Sequence, residues 1–143
     1  MDCERNKAAK RKYLDAFNAQ NLDAIDELFA PDYVLHMAGS PDLEGAESLK
    51  QMVAGSLAAL SEVRAQVEDM VAEGDKVVTR WTITAVHSGE FMGVPPTNRR
   101  ITMNGIVIDR FVDGRIVEAW ENFDMFGMMQ QLGMELKPEG GER

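Results

Sequence analysis

The sequence predicts an α+β fold: a cone-shaped, curved antiparallel sheet packed on N-terminal helices around an apolar pocket. Three observations predict it. Apolar residues recur at helical spacing through the first part of the chain. Long alternating segments punctuated by glycine turns follow. Helices first and strands after them segregate the two structure types into separate layers.

The elements follow in order. Residues 5–20 read as a helix, because Ala9, Tyr13, Ala16 and Phe17 share one face, with Leu14 alongside. Asn21 is a candidate cap for a short second helix with the stripe Leu22, Ile25, Leu28 and Phe29, and Pro31 ends it. A short strand over 33–37 and a loop through Gly39-Ser40-Pro41-Asp42 come next. A third helix over 46–60 carries Leu49, Met52, Val53 and Leu57 on one side. Strands are expected at 63–73, 76–87, 99–112 and 115–124. Gly74-Asp75 and Asp113-Gly114 supply tight hairpin turns, since glycine reaches positive φ without steric cost. A longer connection runs through Gly93-Val94-Pro95-Pro96-Thr97-Asn98. A last helix covers 125–132, closed by Gly133, and the tail 137–143 is expected to be disordered. A sheet this long curls, and the helices close its concave side over a cavity.

Composition sets the outer limits. The 143 residues make one domain, 1–143, able to bury a core without staples. No run approaches a membrane span, and the first residues lack a signal-peptide core, so a cytoplasmic protein is expected. Cys3 is the only cysteine, which excludes an internal disulfide and a cysteine-based metal site. In a frayed terminus it reads as an incidental thiol. The net charge of −9 opposes nucleic acid and anionic membranes as partners. Ten methionines are soft core filler or the lining of an adaptable apolar pocket.

The chemistry concentrates in the last hairpin. One face of 99–112 carries Ile101, Met103, Gly105, Val107, Asp109 and Phe111. One face of 115–124 carries Val117, Ala119, Glu121 and Phe123. Each mainly apolar face thus bears one acid. A plain two-residue turn at Asp113-Gly114 would oppose Asp109 to Glu118, two like charges. A glycine bulge shifts the register by one, so that Val107 faces Glu121 and Asp109 faces Ala119. The bulged register is the expectation, with both acids on the pocket wall. Desolvation would raise their pKa values and suit them to acid/base work. The alternative is that such an acid pairs with an arginine or reaches the wet rim.

His36 and His87 each read as a proton carrier at the cavity mouth or as a hydrogen-bonded structural residue. Neither has the spacing of a metal site. No phosphate-cradling loop and no G-x-S-x-G serine elbow is present.

The stretch His87-Ser88-Gly89-Glu90-Phe91-Met92-Gly93-Val94-Pro95-Pro96-Thr97 resembles the SnoaL-like polyketide cyclases. So do Arg110-Phe111-Val112-Asp113-Gly114-Arg115-Ile116-Val117-Glu118, then Asp124 and Gln131-Leu132-Gly133. Ala16-Phe17-Asn18 and Pro31-Asp32-Tyr33 fit near the start. The resemblance spans residues 10–133. It implies the cone fold of nuclear transport factor 2, a pocket without cofactor and commonly an oligomer. It also implies ring closure by intramolecular aldol condensation, with an acid near the end of the last strand and a histidine on the strand before. The acid position matches Glu121, where the cyclases carry Asp, and the histidine position matches Val107. Ile108-Asp109-Arg110-Phe111 is similar to the ketosteroid isomerase segment whose neutral aspartic acid donates to an oxyanion, a standard example of that device.

Three functions remain open at this point. The first is a cofactor-independent cyclase or isomerase for a small apolar carbonyl compound. Glu121 would be its acid/base and Asp109 a second acid, with Tyr13, Phe17, Trp81, Met103 and Val107 shaping the pocket. The second is a binding protein without chemistry, suggested by Val107. The third is an epoxide hydrolase, which needs an Asp-Arg-Asp cluster drawing on Arg80 or Arg110. The outer sheet face, with Arg80, Thr82, Thr84, Arg110, Glu118 and Trp120, is expected to form a homodimer.

Overall fold

A computed structural model describes residues 2–135 and 137–140. Helix α1 (Cys3–Asn18) is followed by α2 (Asp23–Leu28), strand β1 (Phe29–Met37), the two-residue β2 (Leu43–Glu44) and α3 (Ala46–Ala59). Four strands come next: β3 (Leu60–Glu73), β4 (Lys76–His87), β5 (Arg100–Val112) and β6 (Arg115–Phe123). Helix α4 (Met125–Gln131) completes the order. Residues 137–140 belong to no helix or strand, and residues 141–143 of the expected disordered tail lie outside the described residues. Among the described residues no helix is long and apolar enough to cross a membrane.

The sheet has the order β2-β1-β6-β5-β4-β3. The expected antiparallel meander is β3 to β6. β1 departs from it by running parallel to β6, so the sheet is mixed. The sequence before α3 also differs from expectation. The stripe residue Phe29 already opens β1, and Pro31 sits inside that strand where the β1–β6 register shifts. A proline lacks the N–H of a regular ladder and is tolerated at such an irregularity. The expected loop leads into β2, which folds back on β1 through Val34 and Leu35. The N-cap position of α2 falls on Leu22 instead of Asn21; Asn21 lies one residue before it, its Oδ1 accepting the Asp23 N–H at 3.2 Å.

Two devices set α1 and α4 on the sheet. Asn18 substitutes for a strand neighbour on β3: its Nδ2 donates to Ala65 O at 2.9 Å and its Oδ1 accepts the Ala65 N–H at 2.6 Å. Gln131 treats β5 in the same way, accepting the Thr102 N–H at 2.7 Å and donating to Thr102 O at 2.8 Å. Both helix ends thereby satisfy backbone groups that would otherwise lack partners. Irregularities in β3 at Ser61/Arg64 and Val67/Asp69 bend the strand.

The last hairpin has the expected register by a different route. Asp113 (φ 50°) and Gly114 (φ 82°) form a two-residue turn with both residues at positive φ, and Val112 pairs with Arg115. The bulge lies further along β6. Phe111 pairs with Ile116, but Arg110 pairs with Glu118, leaving Val117 as the extra residue. Past it, Asp109 faces Ala119 and Val107 faces Glu121. Ile116, expected on the outer face, therefore turns inward and is fully buried.

Candidate functional site

Helices α1 and α3, with α4 at the end, close the concave face of the sheet over a cavity of about 410 Å³. Its wall is overwhelmingly apolar, and six of the ten methionines (Met37, Met52, Met92, Met103, Met125 and Met128) line it. Their flexible thioethers leave the wall adaptable. Tyr13, Phe17, Trp81, Met103, Val107, Asp109 and Glu121 all line it as expected.

Polar groups gather at one region of this wall. Glu121 arrives from β6 directly across from Val107 on β5. Its pKa is raised, first by burial and then by Asp109, against the opposing charge of Lys10 and a smaller effect of the Trp81 indole. The Trp81 Nε1–H is buried without full hydrogen-bond geometry to any partner. Asp109 is 1% exposed, and its Oδ2 lies 2.9 Å from Lys10 Nζ. The contact is a close ion pair, and Oδ2 has no other partner among the described residues. Thr79 Oγ1, from the neighbouring strand, is another buried polar atom without a partner. Each unsatisfied polar atom costs about 1–3 kcal/mol in a dry site.

Tyr13 and Tyr33 complete this region. Burial is the main cause that raises both phenol pKa values, and the negative charges of Glu121 and Asp109 add to it. Both hydroxyls therefore stay protonated as donors. Tyr13, Phe29 and Tyr33 pack edge to face, with ring centroids 5.0 and 4.9 Å apart. Lys10 Nζ sits 5.3 Å from the centre of the Tyr13 ring.

Two expected site residues lie elsewhere. His36 alternates outward between the cavity residues Leu35 and Met37. It stacks on Trp120 at 5.5 Å, with Nδ1 3.0 Å from Asp42 Oδ1 and Nε2 2.7 Å from Glu118 Oε2. His87 is fully buried at the far end of β4, outside the cavity lining. Its Nδ1 accepts the Thr97 N–H at 3.2 Å and lies 2.9 Å from Thr97 Oγ1. It fastens the 88–97 connection instead of facing a ligand.

The arginines of the hydrolase alternative also face away. Arg80 pairs with Asp69 at 2.7 Å, and Arg110 pairs with Glu118 at 3.1 Å, both on the outer face. Lys10 takes the cationic place beside Asp109. Among the described residues no three His, Cys, Asp or Glu side chains gather as a metal-binding group.

Lys10 and Tyr33 were not among the expected site residues. The signal for Lys10 was its place three residues before Tyr13 and seven before Phe17, on the face that α1 turns inward. A lysine on that stripe requires a buried counter-charge.

The comparisons agree with this geometry. A family model described as SnoaL-like polyketide cyclase matches residues 7–132. Nogalonic acid methyl ester cyclase of Streptomyces nogalater is 31% identical over 123 residues, which cover 84% of this chain and 91% of that protein. Among solved structures, AclR of Streptomyces galilaeus, described as a hydroxylase candidate, is 32% identical with a TM-score of 0.83, covering 92% of this chain and 97% of that one. IdmH of Streptomyces antibioticus, a candidate polyketide cyclase, is 36% identical with a TM-score of 0.79, covering 90% of this chain and 99% of that one. A cone closed by helices over an apolar cavity and a family match across most of the chain lead to one conclusion: this chain belongs to the SnoaL-like polyketide cyclase family.

Proposed function

We propose that the protein is a cofactor-independent polyketide cyclase that closes a ring by intramolecular aldol condensation, with Glu121 as the acid/base. The observation that carries this reading is the Glu121 carboxyl on an apolar wall, its pKa raised by burial. A base of raised pKa takes up a carbon-bound proton more readily and can return it near neutral pH. Glu121 removes a proton α to a carbonyl, and the C–H electrons pass to the carbonyl oxygen as an enolate. The enolate carbon attacks a second carbonyl of the same molecule, forming the C–C bond. The resulting alkoxide takes the proton from Glu121, which returns to its starting state.

The cavity volume of about 410 Å³ falls in the range of sites that enclose drug-sized ligands. The relative from Streptomyces nogalater makes nogalonic acid methyl ester the first substrate to try. Cyclisation followed by chromatography is the test. Glu121→Gln is expected to lower kcat by about 10²–10⁴-fold, the usual contribution of a positioned acid or base. Because the pKa of Glu121 is raised, kcat/KM should climb with pH through that raised value and level off above it. Unchanged turnover by Glu121→Gln would remove Glu121 from the mechanism.

The apolar Val107 opposite Glu121 favours a second reading, binding without turnover. Recovery of the bound polyketide unchanged after prolonged incubation would support it over the first. For the assembly, we propose a homodimer through the outer face of β4, β5 and β6, where Ile106 and Trp120 are exposed beside Arg80 and Arg110.

A further inference from the structure

We propose that Lys10 forms an oxyanion subsite at the polar region of the cavity, taking the charged oxygen of an enolate, a β-dicarbonyl anion or a phenolate. The inference rests on the cavity being a ligand site, and for catalysis on the cyclase reading above.

Lys10 is the only lysine or arginine lining the cavity among the described residues. Its ammonium carries three N–H donors. The structure gives it one ionic contact, to Asp109 Oδ2, and the ring face of Tyr13. Apart from that 2.9 Å contact, none of its N–H groups has a hydrogen-bond partner among the described residues, although the side chain is only 7% exposed. A buried ammonium left in this way has donor capacity for a ligand oxygen.

The charges close in the same sense. At rest Lys10 faces the carboxylates Asp109 and Glu121. When Glu121 takes the substrate proton, its negative charge moves to the substrate oxygen and the site total stays constant. A cation already in place meets that developing charge without rearranging. Val107 provides no donor on the opposite strand, and both tyrosines are held as neutral hydroxyls, so Lys10 is the one full positive charge on this wall. A structural role alone, pinning α1 to β5 through Asp109, would use one N–H and leave no preference for an anion.

4-Nitrophenol tests this without any turnover, because its phenol and phenolate absorb at different wavelengths. Glu121→Gln provides the background, since the amide has the charge of the protonated acid. Bound to Glu121→Gln, the probe is expected to ionise at lower pH than the free probe by at least tenfold in its ionisation constant. Ionisation at or above the free value would overturn the subsite, and that measurement needs no further variant. Adding Lys10→Met together with Asp109→Asn removes one charge of each sign and leaves the net charge unchanged. This triple variant is expected to bind the phenolate at least tenfold more weakly and to lose the shift. An unaltered shift would show that Lys10 is only structural. Adding Lys10→Arg instead is expected to keep the shift. A downward shift in Glu121→Gln, together with a parent protein that leaves nogalonic acid methyl ester unchanged, would uphold the subsite and count against the cyclase reading.

Discussion

At the scale of single residues, burial decides what each acid and histidine does. Glu121 has a native pKa raised above its ordinary 4.5, so the folded state holds its proton more tightly than the unfolded chain does. Its contribution to stability is therefore present below 4.5 and is lost as pH rises through the raised native value. Glu121→Gln should consequently be more stable than the parent above that window, and the two should converge below it; urea unfolding across pH measures this. His36 is the opposite case, half-buried on the outer face and favoured in its charged form by its neighbours. Its pKa is raised above 6.5, chiefly by the hydrogen bond to Glu118 and then by Asp42. Glu118 is lowered below 4.5, first by His36 and then, against desolvation, by Arg110. The pair contributes in full between about pH 4.5 and 6.5, fading at lower pH as Glu118 protonates and at higher pH as His36 loses its proton. A proton NMR titration should place the His36 midpoint above 6.5, and Glu118→Gln should bring it down. An unmoved midpoint would show that the 2.7 Å contact does not persist in solution.

At the scale of elements, one extra residue in β6 aims the site. Without Val117 as a bulge, the strand would present Trp120 to the cavity and Glu121 to the outside. The bulge costs a break in the ladder and gives both acids the same side. Gly105 performs a related task on β5. It pairs with Trp81 on one side and Phe123 on the other. A Cβ there would lie 2.7 Å from the Trp81 ring, 2.7 Å from Phe123 Cβ and 2.5 Å from Asn122 O. Gly105→Ala is expected to cost about 1–3 kcal/mol, the usual penalty of overpacking. It should also displace the Trp81 indole from Glu121, visible as a change in tryptophan fluorescence. Loss of stability without that spectral change would place the strain on Asn122 and Phe123 instead.

At the scale of the whole molecule, the sheet has two faces with different uses. The concave face holds the cavity. The outer face carries exposed Ile106 and Trp120 beside the Arg110–Glu118–His36 chain of contacts. The proposed homodimer predicts a sedimentation mass of two chains, and Trp120→Glu should halve it by placing a charge at the centre of the contact. A monomer at high concentration would exclude that interface.

The sequence by itself determined the helix-then-strand order, the two glycine turns and the alternation that sets Asp109 and Glu121 on apolar faces. These are local matters of periodicity and of steric freedom at positive φ. It also carried the Val107–Glu121 register, because the opposed charges of the unshifted alternative were legible in the letters. The tertiary structure alone decided the rest. The parallel pairing of β1 with β6 joins segments far apart in the chain, which no local pattern encodes. The same is true of the bulge at Val117, since a ladder can absorb an extra residue at several points before the register fails. It is true above all of Lys10, whose charge is tolerable on the inner face of α1 only because the folded sheet brings Asp109 within 2.9 Å.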